Sequence, residues 1–294
     1  MKRDHQFIAA CSCWGAQIRA CEKGPEVLVA GGLLDRLRAQ GIAIRDVEML
    51  YPKQMARDGE LPMKEVFPLI LDLNRRLARS VSQAVKKGLF PVVLGGDHTN
   101  AIGTWNGVQG PLALLWIDAH MDAHTLETSP SGAYHGMPLA ALLGYGEREM
   151  THLVSSHPVL KPENLAVIGV RSYETGEVEL LKRLNVRIYF MDEVKKRGLK
   201  EILPEAMQHV MRGAAHFGVS LDLDVFDPQE APGVGSPEEG GILPSELLPL
   251  LPLFGKEKRF AAFELVEFNP DRDLNHKTRD LSYKVLSQVL SSKQ

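Results

Sequence analysis

The chain has 294 residues, 44% of them hydrophobic and 24% charged, with a formal net charge of −3. That is enough apolar material for one large α/β domain or two small ones, and a near-balanced charge without a long basic run argues against a nucleic-acid-binding surface. No stretch approaches the ~20 apolar residues of a membrane-spanning helix.

The three cysteines, Cys11, Cys13 and Cys21, are too few and too irregular for a disulfide framework and match a reduced compartment. Cys11 and Cys13 alone cannot complete a structural zinc site, so the thiols are expected to be buried or idle. The start, Lys2-Arg3 then Phe7-Ile8-Ala9-Ala10, mimics a secretory signal, but the apolar run is too short and Asp4 interrupts it. The expectation is a cytoplasmic protein with no membrane and no nucleic-acid partner.

Taken in chain order, short apolar runs predict strands at 6–10, 42–47, 91–94, 112–117, 165–170, 187–191, 217–223 and 259–266. Helices fall between them. Val27, Leu28, Ala30, Leu33, Leu34 and Leu37 recur at helical spacing over 25–40, with Pro25 suited to a first turn. A long amphipathic stretch covers 64–87 and stops at Gly88. Further helices are expected near 136–144, 174–184, 199–213, 244–254 and 278–291. This alternation predicts an α/β fold: one three-layer domain over 1–294, with a mostly parallel central sheet flanked by helices. The Pro- and Gly-rich stretch 228–244 reads as a loop bordering a site.

Chemistry concentrates where three of the strands end. Gly95-Gly96-Asp97-His98 follows one apolar run, Asp118-Ala119-His120-Met121-Asp122-Ala123-His124 a second, and Asp222-Leu223-Asp224-Val225-Phe226-Asp227 a third. Ligands of open α/β sheets bind beyond the carboxyl ends of the strands, so these clusters should share one rim. If the strands continue, Asp118, His120 and Asp122 share a face, as do Asp222 and Asp224. With His98 that makes four carboxylates and two imidazoles. So many acids repel unless neutralised, and two divalent cations would balance them. An oxygen-rich set with a minority of imidazole suits Mn²⁺ better than thiolate-seeking Zn²⁺.

These motifs, with His135-Gly136-Met137-Pro138, Ser220-Leu221-Asp222-Leu223-Asp224 and Glu264-Leu265-Val266-Glu267-Phe268-Asn269-Pro270, resemble the ureohydrolases. That family comprises arginases, agmatinases and related guanidino or formimino hydrolases with a two-manganese centre. Glu22-Lys23-Gly24-Pro25 and Ala231-Pro232-Gly233-Val234-Gly235-Ser236-Pro237 are similar to its arginase branch.

The resemblance implies two Mn²⁺ ions at the C-terminal ends of the strands, on His98, Asp118, His120, Asp122, Asp222 and Asp224. Asp122 would also orient the attacking water, His135 would shuttle the proton and Glu267 would hold the guanidinium. It further implies a small guanidino substrate and a homo-oligomer, trimeric or hexameric. The expected reaction is hydrolysis of L-arginine to L-ornithine and urea, with agmatine or another guanidino compound as the alternative substrate.

Two departures keep that alternative open. Arginases usually carry Asn where this chain has Ala133, and Asn where it has His124; both family positions help hold the α-carboxylate. Ser131 remains, His124 offers a donor or a cation, and Glu174, assisted by Glu177, is similar in position to the acid that reads the α-amino group.

Overall fold

The computed structural model describes residues 3–56, 61 and 63–291. Among these, eight strands form one sheet in the order β2-β1-β3-β8-β7-β4-β5-β6, and every neighbouring pair runs parallel. The strands are β1 (His5–Ala10), β2 (Ile44–Leu50), β3 (Phe90–Gly95), β4 (Leu112–Ile117), β5 (Leu160–Val170), β6 (Arg187–Phe190), β7 (His216–Asp222) and β8 (Phe260–Val266). Each overlaps a run expected from the sequence. A parallel strand needs a crossover to reach its neighbour, and the helices that supply these crossovers cover both faces. Side chains therefore alternate between two apolar layers: Val92, Leu94, Leu115, Ile117, Val219 and Leu221 pack on one side, and Ile8, Val93, Leu114 and Trp116 on the other.

The register levels the strand ends. Leu94, Leu265, Leu221, Ile117 and Ile168 sit side by side across β3, β8, β7, β4 and β5. The residues that follow this row are therefore delivered to one rim, although the chain separates them widely.

The helices are α1 (Gly24–Ala30), α2 (Leu33–Ala39), α3 (Met63–Lys86), α4 (Asn100–Gly107), α5 (Pro138–Leu142), α6 (Arg148–Thr151), α7 (Thr175–Arg183), α8 (Met191–Arg197), α9 (Leu199–Val210), α10 (Pro244–Leu247), α11 (Pro252–Lys256) and α12 (Lys277–Leu290). The single helix expected over 25–40 is two. Gly32 adopts φ 83° between them, a conformation Gly takes at no steric cost. The helix expected over 244–254 is likewise split, with Pro252 opening the second piece. Three helices carry no clear sequence signal: α6 and α8 are short, and α4 is buried on every side, so it has no amphipathic period.

The loop after β3 threads between β1 and β8. Gly96 donates its N–H to Ala10 O at 3.0 Å, and its carbonyl accepts from Glu267 N at 2.8 Å. A Cβ at Gly96 would lie 2.0 Å from Ser12 O, a backbone atom that cannot swing away. Overpacking of this kind typically costs ~1–3 kcal/mol, so Gly96→Ala should lower the urea midpoint accordingly. An unchanged midpoint would show that the loop yields freely.

Candidate metal centre and substrate cleft

The four central strands β3, β8, β7 and β4 each end in a chemically active residue. His98 follows β3, Glu267 follows β8, Asp222 closes β7 with Asp224 two residues on, and Asp118 follows β4.

The His98 ring stacks on Trp116 with centroids 4.0 Å apart. Its Nε2 lies 2.9 Å from Ser220 Oγ, which donates to Glu264 Oε2 at 2.6 Å. This buried chain orients the ring and turns Nδ1 toward the acids. Nδ1 lies 3.1 Å from Asp118 Oδ2, 2.9 Å from Asp122 Oδ2 and 3.2 Å from Asp222 Oδ2. None of these contacts has hydrogen-bond geometry, so Nδ1 is a buried polar atom without a partner.

His120 repeats the pattern, with Nδ1 3.0 Å from Asp224 Oδ2 and 3.5 Å from Asp118 Oδ1. Two donor groups result, His98–Asp118–Asp222 and Asp118–His120–Asp224, each with ligand atoms within 4.8 Å of one another. Asp118 belongs to both through different oxygens, and Asp122 stands beside the first.

The electrostatics call for cations. Burial, then Asp224 and Asp118, pushes Asp222 well above the ordinary carboxylate range. Burial and Asp118 raise Asp122, and burial takes Asp224 to about 6. Asp118 alone is pulled down: burial opposes ionisation, but the close approach of the His120 and His98 rings outweighs it. An orphaned imidazole nitrogen facing mutually repelling carboxylates fits a pair of divalent cations, and the nitrogen-and-oxygen donor set without thiolate fits hard to borderline metals.

The expected donors thus converge, but not by strand alternation. β4 stops at Ile117, and Asp122 turns with φ 49°. Asp224 lies in a 3-10 turn whose N-cap, Asp222, accepts its N–H at 2.8 Å. Turns, not extended strands, aim these side chains. The other acids of the motifs fasten loops. Asp97 accepts N–H groups from Gly15 at 2.7 Å and Thr99 at 3.0 Å, and Asp227 accepts from Gln229 at 3.0 Å and Gly240 at 3.1 Å.

Beside the donors a cleft of about 140 Å³ is lined by His120, Asp122, His124, Ser131, His135, Glu174, Glu177, Ser236 and Glu267, among others. A larger cavity, about 400 Å³, lies at the opposite ends of the strands around Arg3, His5, Phe90 and Phe260, where the sheet presents none of these motifs.

Within the cleft, Glu267 is buried and left-handed at φ 65°. Its Oε1 accepts His98 N at 3.0 Å and faces His135 Nδ1 at 3.2 Å. Burial pushes His135 down, yet the hydrogen bond and charge of Glu267, with Asp122 and Asp97, raise it to about 9. Burial would raise Glu267, but His135 holds it below the usual carboxylate range.

At the outer end His124 Nε2 lies 2.9 Å from Glu174 Oε2 and 3.3 Å from Glu177 Oε2. The hydrogen bond from His124 lowers Glu174, while burial takes Glu177 to about 8. Ser131 Oγ accepts Ala133 N at 3.1 Å, which fixes the loop before His135.

Sequence reasoning did not single out Ser236 or Glu238. Glu238 Oε1 lies 3.9 Å from His120 Nε2 and accepts from Ser172 Oγ at 3.1 Å. It sits in the loop expected to border the site, but only the packing shows which side chain turns inward. Arg171 holds that loop down by donating to the carbonyls of Asp224 at 2.7 Å, Glu238 at 2.8 Å and Glu239 at 3.1 Å.

Residues 6–291 match the family model described as "Arginase family". An arginase from Brevibacillus brevis is 36% identical over 296 residues, covering 100% of this chain and 99% of that protein. The solved arginase of Bacillus caldovelox superposes with a TM-score of 0.92 at 34% identity, covering 100% and 99% of the two chains. That of Bacillus subtilis gives 0.91 at 33% identity, covering 99% of each.

Because Asp118 serves both donor groups, Asp118→Asn should reduce bound metal at both positions, measured by elemental analysis. Retention of two equivalents per chain would exclude the shared-carboxylate arrangement.

Proposed function

Since the chain belongs to the arginase family, we propose that it is an arginase: a metal-dependent hydrolase that converts L-arginine and water to L-ornithine and urea. The carrying observation is the pair of donor groups joined by Asp118, opening on the same cleft as the Glu267–His135 pair. We take Mn²⁺ as the resident metal, the whole chain as one catalytic unit, and a trimer or hexamer as its assembly. Among the described residues no helix is long and apolar enough to cross a membrane, in keeping with the cytoplasmic setting that goes with this reading.

His98, Asp118 and Asp222 would hold one ion and Asp118, His120 and Asp224 the other, with Asp122 completing the set. Bound there, two divalent cations supply Lewis acidity and activate water near neutral pH. The guanidinium carbon needs that help because resonance makes it a poor electrophile.

The protein's side chains supply the rest. The Glu267 carboxylate receives guanidinium N–H groups through paired, charge-assisted hydrogen bonds, which orients the carbon toward the metal ligands. Addition of water and cleavage of the C–N bond leave the departing amine in need of a proton. His135, its Nδ1 held 3.2 Å from Glu267 Oε1, is positioned to supply it.

The outer end of the cleft supports arginine over agmatine. His124 and Glu174 form an opposite-charge pair when the ring is protonated. Such a pair complements a zwitterionic head group, with the α-carboxylate toward His124 and Ser131 and the α-ammonium toward Glu174. Agmatine has no carboxylate and would leave His124 without that partner.

Chelation should abolish urea release and Mn²⁺ should restore it; full activity in exhaustively metal-free protein would overturn the metal-dependent mechanism. His135→Asn should cut turnover by roughly 10- to 10⁴-fold, the usual worth of general acid–base help, with metal content unchanged. Wild-type turnover in that variant would remove the shuttle role. On one metal-loaded preparation, arginine should exceed agmatine by more than about tenfold in kcat/KM, and Glu174→Ala should erode that preference. Equal rates, or a preference for agmatine, would remove the arginase assignment and leave the wider ureohydrolase chemistry.

A further inference from the structure

All three cysteines are buried and outside any disulfide, and Cys21 is not idle. Its Sγ lies 3.1 Å from Glu267 Oε2. The two oxygens of that carboxylate are thus treated differently: Oε1 is shared by His98 N and His135 Nδ1, and Oε2 is met by the thiol.

Two features fix the thiol where it is. Cys21 opens the 3-10 turn that leads into α1, and that turn is pressed onto the chain just beyond β8. A Cβ at Gly24 would lie 2.3 Å from Phe268 O, so a glycine is what lets the turn pack this closely. Across the carboxylate, a Cβ at Gly235 would lie 2.9 Å from Glu267 Oε2 and 3.5 Å from Cys21 Sγ. The bare Gly235 leaves room for the oxygen and the sulfur together. Cys21 is fully buried, and burial, with the charge of Glu267, pushes its thiol well above its ordinary range. It remains S–H, a donor.

We propose that Cys21 is a positioning residue for the guanidinium subsite, its S–H donating to Glu267 Oε2 and so fixing the plane in which the carboxylate meets the substrate. Without that donor the carboxylate is anchored through Oε1 alone and can pivot about it. A planar guanidinium then loses the matched geometry that paired hydrogen bonds require. The inference rests on the reading of Glu267 as the guanidinium acceptor.

The test compares Cys21→Val, which removes the donor and adds about one methyl group, with Cys21→Ser, which keeps one. In metal-loaded protein Cys21→Val should lower kcat/KM by about tenfold, the scale of one hydrogen bond to a charged group. The loss should lie mainly in KM, for arginine and agmatine alike, with metal content unchanged. Cys21→Ser should recover most of it. Independently of activity, the infrared S–H stretch assigned through Cys21→Ser should move to higher frequency in Glu267→Ala.

Wild-type KM in Cys21→Val, or a Cys21→Ser variant as impaired as Cys21→Val, would overturn the proposal; the second result would mean that sulfur matters by packing. If Cys21→Val does not fold, Cys21→Ala takes its place in the comparison with Cys21→Ser, and wild-type KM in that variant would overturn the proposal equally. Full activity in Glu267→Ala would instead refute the guanidinium reading itself. A crippled Glu267→Ala beside an unaffected Cys21→Val would refute only the role of Cys21.

Discussion

Four carboxylates, Asp118, Asp122, Asp222 and Asp224, are almost fully buried around two imidazoles. Like charges taken out of water raise one another's proton affinity and destabilise the fold that gathers them. Divalent cations remove that cost by supplying the missing positive charge, and folding and metal binding then become one equilibrium. Much of the surrounding architecture can be understood as holding this charge distribution still. Trp116 stacks on His98 and donates to Asp118 Oδ2 at 2.9 Å. Ser220 and Glu264 orient His98 from behind, and Arg171 pins the loop that closes over Asp224.

The sheet order makes the gathering possible. β3, β8, β7 and β4 are neighbours, although β8 comes last in the chain and β3 and β4 come early. A parallel sheet with a level register converts that separation into adjacency, because every strand points its carboxyl end the same way. The contacts between His98 and Glu267, 169 residues apart, and between Ala119 and Asp224, 105 apart, follow from this order. Loop closure makes such contacts entropically unfavourable, and the two apolar layers of the sheet offset that term.

How much of this was legible in the sequence depended on whether a feature is local. The strands were legible because a buried parallel strand is a continuous apolar run bounded by polar residues, as at 112–117. The metal-ligand candidates were legible because chemistry fixes residue type at strand ends. The route to them was not: Asp122 reaches the centre through a left-handed turn and Asp224 through a 3-10 turn, where the sequence pattern pointed to alternation along an extended strand. The break at Gly32 hid within a good amphipathic pattern, since a helical period passes unchanged through two short helices that keep their faces aligned. Asn100–Gly107 gave no signal because burial on every side erases the period. Glu238 and Cys21 were out of reach for a different reason. Each reaches the site through tertiary contacts, with His120 and Ser172 or with Glu267, that neither neighbouring sequence nor composition encodes.

The two ends of the cleft are built on different physical terms. At the inner end the carboxylates of Glu267, Asp118, Asp222 and Asp224 are buried, and Glu267 is met by His98 N, His135 Nδ1 and Cys21 Sγ, so it has little freedom. This is where bond cleavage demands a fixed field. At the outer end Glu174 is exposed and forms the N-cap of α7, and His124 Nε2 meets its Oε2 at 2.9 Å. Such a contact is held less tightly on the Glu174 side, where water competes for the carboxylate. On the proposed reading, substitution at the outer end should change which head group is preferred and leave the donor groups around Asp118 undisturbed. The proposed function thus sets the donor groups around Asp118 apart from the outer end of the cleft, where His124 and Ala133 stand.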